Sequence, residues 1–203
     1  ALDDGAITGG DTVYFGAGGH GGLTLRGLNF DSPVTLTSAP GNRAHFDFIL
    51  VGKSRNITVK GVNIWPTDGQ DAMGAVLRTL TNTDAITLED LDIRSVEAAS
   101  DYPGWTQDEW LANKHNGILL QGTNSVVRNS RVMGVFNGIA VQGSRSLIDG
   151  NVVDGFSGDA LRAIGEDSAV RGNSAANCVK VSEAHNDGIQ SWSSEDKKLF
   201  HGT

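Results

Sequence analysis

The stretch "VRNSRV" (Val127–Val132) returns as "IDGNVV" (Ile148–Val153) and again as "VRGNSA" (Val170–Ala175). Their first residues lie 21 and 22 positions apart. A second phrase keeps step with them: "NGILLQG" (Asn116–Gly122), "NGIAVQG" (Asn137–Gly143) and "DALRAIG" (Asp159–Gly165). Its closing glycines are again 21 and 22 apart. Two phrases locked to one period mean a structural repeat, and a repeat has to be read before any single element.

The first phrase also occurs upstream, as "LRGLNF" (Leu25–Phe30), "VKGVNI" (Val59–Ile64) and "LEDLDI" (Leu88–Ile93), at wider intervals of 34, 29 and 39 residues. Each period holds two or three short runs of alternating apolar residues separated by Gly, Asn, Asp and Ser. That is the pattern of short strands joined by turns. The regularly spaced leucines of a leucine-rich repeat are missing, as is a 3.6-residue helical period. No unit can bury its apolar face alone, so the units must stack. The expected fold is all-β: a right-handed parallel β-helix with roughly 21–22-residue turns and loop insertions.

The whole chain, residues 1–203, is expected to form one such domain as part of a longer solenoid. Its largest insertion is residues 95–117. Within it Thr106 and Glu109 have the spacing of a capping box, so "QDEWLANK" (Gln107–Lys114) is expected to be a short helix. Tyr102, Trp105 and Trp110 in the insertion either wall a groove or pin the loop to the scaffold. After Trp192 the chain runs "SSEDKKLFHGT". A solenoid end needs a cover, and a second chain or a further C-terminal segment is the expected one.

Bulk properties narrow the function classes. No apolar run is long enough to span a membrane. Cys178 is the single cysteine, so an internal disulfide is excluded. A net charge of −8 argues against nucleic acid as a partner. The segment from Lys114 to Lys180 differs, with seven Lys/Arg against five Asp/Glu, net +2. A locally basic groove suits an anionic ligand.

Aligning the second phrase on its glycine puts Ile118, Ile139 and Leu161 in one inward column. "SEAHNDGIQSW" (Ser182–Trp192) adds Ile189 as a fourth copy. Two residues before each stand Asn116, Asn137, Asp159 and Asp187. One residue after stand Leu119, Ala140, Arg162 and Gln190, which should face outward. Asp159 and Asp187 then fall on successive turns, about 4.8 Å apart, with Arg162 and His185 as the nearest cations. Three chemistries stay open for them. They suit an acid/base pair for glycoside cleavage, a Ca²⁺ site built on Asp159 and Asp187, or carboxylates that orient a His or Arg removing a proton beside a uronate carboxyl. The structural alternative for Asn116 and Asn137 is bonding to the local backbone at the turns. Gln190 and Trp192, together with Asn116, Asn137 and Gln142, are candidate contacts to sugar hydroxyls and rings. Lys114 and His115 in "NKHNG" are further candidates to line the groove.

The rung phrases "VKGVNI", "VRNSRV", "IDGNVV" and "VRGNSA" resemble the right-handed parallel β-helix superfamily of polysaccharide lyases, alginate C5-epimerases and polygalacturonases. The resemblance covers nearly the whole chain. "NDGI" (Asn186–Ile189) and "GDAL" (Gly158–Leu161) look like the polygalacturonase patterns that present catalytic aspartates, in reversed order along the chain. "AHNDG" (Ala184–Gly188) is loosely similar to the "DPH" signature of alginate epimerases. The resemblance implies a secreted or periplasmic bacterial enzyme acting on a polysaccharide. The expected activity is β-elimination on a uronate polymer, with His185 or Lys114 as base and Arg162 neutralising the carboxylate. Asp159 and Asp187 would orient these groups or hold Ca²⁺. The alternatives are hydrolysis by Asp159 and Asp187, and a noncatalytic β-helix adhesin or carbohydrate-binding module.

Overall fold

The computed structural model describes residues 5–67, 74–181, 183 and 185–192. Among them, the strands form three parallel sheets of seven strands each, and successive strands along the chain visit the three sheets in turn. The chain is therefore a parallel β-solenoid of triangular section.

The first sheet runs through Thr12–Phe15, Asn29–Ser38, Arg55–Lys60, Asp84–Glu89, Val126–Arg128, Leu147–Asp149 and Ala169–Arg171. The second ends with Asp92–Arg94, Arg131–Val135, Val152–Phe156 and Ser174–Cys178. The third contains Gly22–Arg26, Phe48–Gly52, Leu77–Thr79, Ile118–Leu120, Ile139–Val141, Leu161–Ala163 and Ile189–Gln190. The register pairs Val127 with Ile148 and Ile148 with Val170, so the repeated phrase stacks on itself.

Each phrase turns out to be a corner. Val59 lies in a strand of the first sheet and Ile64 in one of the second. Between them the chain turns from one sheet to the next through a residue with positive φ: Gly61, Asp90, Asn129, Gly150 and Gly172 on successive turns. Gly, Asn and Asp tolerate that left-handed conformation, which is why they alternate at the third position of the phrase. "LRGLNF" is the exception. Leu25 belongs to the third sheet and Asn29 to the first, so this copy sits at a different corner, with Gly27 as its positive-φ residue. The closing glycines of the second phrase have another cause. A Cβ on Gly143 or Gly165 would overlap the carbonyl oxygen of the glycine one turn earlier.

The interior is filled by stacked aliphatics. Leu36, Val59, Leu88, Val127 and Ile148 line it from the first sheet, Phe46, Ile64, Ile93, Val132 and Val153 from the second, and Leu77, Ile118, Ile139 and Leu161 from the third. Each such side chain contributes about 1.5–3 kcal/mol by burial. At the last turn the column opens: Ile189 pairs with Leu161 yet is 62% exposed. Residues 193–203, after Trp192, lie outside the described residues.

The corners carry polar ladders that satisfy backbone groups in the turns. Ser130 N–H donates to Asn151 Oδ1 at 3.0 Å, and Asn151 N–H to Asn173 Oδ1 at 2.8 Å. At the next corner, Ser125 N–H donates to Ser146 Oγ at 3.2 Å, and Ser146 N–H to Ser168 Oγ at 3.1 Å.

The long insertion folds back on the outer face of the second sheet. It comprises a 3-10 turn, Ala99–Gly104, and a helix, Gln107–Ala112. The Thr106–Glu109 capping box forms, and the helix stops two residues short of the predicted Lys114, with Asn113 as its C-cap. Ala99, Tyr102 and Trp110 pack with Met133 and Val181, and Trp105 joins from the edge. The aromatic residues thus pin the insertion to the stack. A small residue at Gly155 makes room for the Tyr102 ring.

Candidate functional site

A third ladder is the one the sequence singled out. Asn116 Nδ2 donates to Gly74 O at 2.6 Å, and its Oδ1 accepts from Asn137 Nδ2 at 2.7 Å. Asn137 Oδ1 accepts from Asp159 N at 2.9 Å, and Asp159 Oδ1 from Asp187 N at 3.0 Å. Each side chain ties down the backbone of the following turn. Asn116 and Asn137, expected as sugar contacts, have their side chains committed to this column.

Asp159 is the buried link. Its side chain is 0% exposed, and its second oxygen, Oδ2, pairs with Arg162 Nε. A carboxylate at such a position is sustained only by a paired charge and hydrogen bonds, and both are present. Asp187, one turn on, is partly exposed and pairs through Oδ2 with His185 Nδ1 at 3.0 Å. The His185 side chain is 84% exposed. A carboxylate on Nδ1 favours the tautomer with the proton there, which leaves the Nε2 lone pair as the basic position.

A Ca²⁺ ion needs six or more oxygen ligands. Asp159 and Asp187 do not fit it: both oxygens of Asp159 are engaged, one by a guanidinium, and one oxygen of Asp187 serves His185. Among the described residues there is no group of three or more His, Cys, Asp or Glu placed to hold a metal ion.

The residues flanking the column form the outer face of the third sheet. The register runs Arg78, Leu119, Ala140, Arg162, Gln190. Beside it stands an amide rail, in which Arg78 Nε and Nη2 donate to Gln121 Oε1 at 3.1 and 2.9 Å, and Gln121 Nε2 donates to Gln142 Oε1 at 2.9 Å. Trp192 is 45% exposed, with the Arg162 guanidinium carbon 5.7 Å from its ring centroid. Arg162, Gln190, Trp192, His185 and Asp187 are therefore gathered on the last two turns. Lys114 and His115 are not with them. Lys114 Nζ lies 4.1 Å from the Phe136 ring centroid, and the neighbouring Asn116 is three column steps before Asp187.

Arg78 and Gln121 escaped the sequence reading. "AVLRTL" (Ala75–Leu80) is a copy of the second phrase, with Leu77 in register with Ile118. The long insertion between them hides the period. The signal was present in the alternation of Val76, Arg78 and Leu80 against Leu77 and Thr79.

Comparison with protein-family models, with curated proteins and with solved structures gave no match. No helix among the described residues is long and apolar enough to cross a membrane.

Proposed function

We propose that this chain is an exported bacterial protein that cleaves a uronate-containing polysaccharide by β-elimination on the outer face of the third sheet. The stack would coil right-handedly, as parallel crossover connections almost always do, with turns of roughly 21–22 residues. The observation that carries the reading is the meeting, on adjacent turns, of the His185–Asp187 pair with the Asp159–Arg162 pair beneath an exposed tryptophan.

The chemistry follows from those groups. Arg162 uses Nε on Asp159, and its other donors neutralise the uronate carboxylate, which acidifies the adjacent C5–H. Neutral His185, oriented by Asp187, removes that proton through Nε2. The C5–H electron pair becomes the C4–C5 double bond, the C4–O4 bond breaks, and O4 leaves with a proton from solvent. Trp192 supports a sugar ring and Gln190 a hydroxyl. Asp159 takes no part in proton transfer, because both of its oxygens are occupied within the protein.

The test is a screen of acidic and neutral polysaccharides, reading the absorbance of unsaturated uronate together with reducing ends. Elimination raises both together, and His185→Ala abolishes the rise while Lys114→Ala keeps it. Reducing ends without absorbance would replace elimination by hydrolysis. The second reading is a carbohydrate-binding module without cleavage. It is favoured by the commitment of Asn116, Asn137 and Asp159 to hydrogen bonds within the stack, and it predicts binding with neither signal.

A further inference from the structure

Two arginines stand on the same outward column of the third sheet, at its third and sixth strands. Arg78 is in register with Leu119, Leu119 with Ala140, and Ala140 with Arg162. Three steps of about 4.8 Å place the two side chains roughly 14 Å apart along the stack. Among the described residues, each guanidinium hydrogen-bonds to one side chain. Gln121 Oε1 accepts from Arg78 Nε and Nη2, and Asp159 Oδ2 accepts from Arg162 Nε. Both side chains are half-buried, so less freedom is lost when a further anion binds. Between them lie the half-buried Leu119 and the buried Ala140, bordered by the Gln121–Gln142 amide pair.

We propose that Arg78 and Arg162 are the two carboxylate-binding ends of one track that holds an oligouronate lengthwise across the third sheet. The inference rests on the uronate reading above and adds the ligand's length and placement. A single uronate has one carboxylate and reaches one guanidinium. A chain of several uronates carries carboxylates at repeated intervals and reaches both. Its sugar faces then lie over the half-buried Leu119, and its hydroxyls meet the exposed Gln142 at the end of the amide rail. Engagement of the second arginine becomes intramolecular once the first is bound, which multiplies affinity without any new kind of contact.

The experiment is calorimetric titration of the full chain in a His185→Ala background, which keeps the ligand intact. The probes are galacturonate monomer, hexagalacturonate and hexamannuronate. At least one hexamer is expected to bind about tenfold or more tightly than the monomer, as an added charge-assisted contact implies. Arg78→Ala should weaken hexamer binding about tenfold and leave the monomer unchanged, whereas Arg162→Ala weakens both. Salt raised to about 1 M, where screening acts over about 3 Å, should shrink the hexamer advantage. Circular dichroism of each variant checks the fold, and Arg78→Gln serves if Arg78→Ala does not fold. Hexamer affinity unchanged in the Arg78 variant but lowered by Arg162→Ala would overturn the track and leave the uronate reading standing. No binding of either hexamer to the folded parent would overturn both.

Discussion

The backbone N–H of Asp187 donates to Oδ1 of Asp159 at 3.0 Å, across the junction of two successive turns. One turn earlier Asn137 Oδ1 holds Asp159 N in the same way. An aspartate that looked catalytic in the sequence thus does the work of an asparagine in the preceding turn, with Arg162 balancing its charge. Asp159→Ala should cost about 2–4 kcal/mol, because it leaves the part-buried N–H of Asp187 and a partly buried guanidinium without these partners. Asp159→Asn keeps the acceptor for Asp187 and should cost less. Denaturant unfolding of both variants measures the difference; equal losses would show that the ion pair, and not the ladder, dominates.

Asn151 makes the same argument at another corner, without any charge. Its Oδ1 accepts from Ser130 N at 3.0 Å, and its Nδ2 donates to Val127 O at 3.0 Å and to Asn173 Oδ1 at 2.9 Å. The residue is almost wholly buried. Asn151→Ala should destabilise by about 2–3 kcal/mol through unmet backbone groups, and Asn151→Ser should recover part of it, since Ser130 occupies the equivalent position one turn earlier. Thermal or denaturant unfolding reads the order Asn, Ser, Ala; an unstable Ser variant beside a stable Ala variant would contradict it.

The stacking of three sheets is legible in the sequence because two kinds of constraint repeat at one interval. Inward aliphatics such as Val127, Ile148 and Val170 pair in register, and each is followed two residues later by a residue that accepts positive φ. The opening turns are harder to read. "LRGLNF" has the same composition because a corner with Gly27 makes the same demands on the chain as a corner with Gly61. The column Asn116, Asn137, Asp159, Asp187 is also legible, but its role is not. Asparagine and aspartate serve turns and chemistry with the same atoms, and only the partners of each oxygen separate the two uses. Arg78 joins the outer face only through register, which an insertion conceals from a period search.

The insertion's seat depends on the absence of a side chain. A Cβ at Gly155 would lie 2.8 Å from three atoms of the Tyr102 ring, and its φ of +72° already disfavours other residues. Gly155→Ala should therefore lift the Tyr102–Trp110 cluster off the second sheet and destabilise by about 1–3 kcal/mol. The emission of Trp105 and Trp110 should shift toward that of solvated indole. Unchanged emission with unchanged stability would mean that the ring relocates without loss.

The polar lock beneath that cluster gives the chain an acid sensitivity. Tyr102 Oη donates to Asp154 Oδ1 at 2.6 Å, Asn177 Nδ2 donates to the same oxygen at 2.8 Å, and Arg131 pairs with Oδ2 at 2.9 Å. The Tyr102 hydrogen bond foremost, with Asn177 and Arg131, holds the Asp154 carboxyl below its ordinary range despite partial burial. A group whose folded pKa is depressed adds stability above its unfolded value of about 3.9 and loses it as pH falls toward the folded value. Glu89, held down by Arg128 and Lys60, acts in the same direction. Stability should thus decline on acidification through and below the usual carboxylate range. Tyr102→Phe should flatten the part of that decline due to Asp154 by raising its pKa toward normal. Denaturant unfolding of the parent and the Tyr102→Phe variant between neutral pH and about pH 3 measures the difference in slope. Parallel curves would show that Arg131 and Asn177 hold Asp154 without the tyrosine.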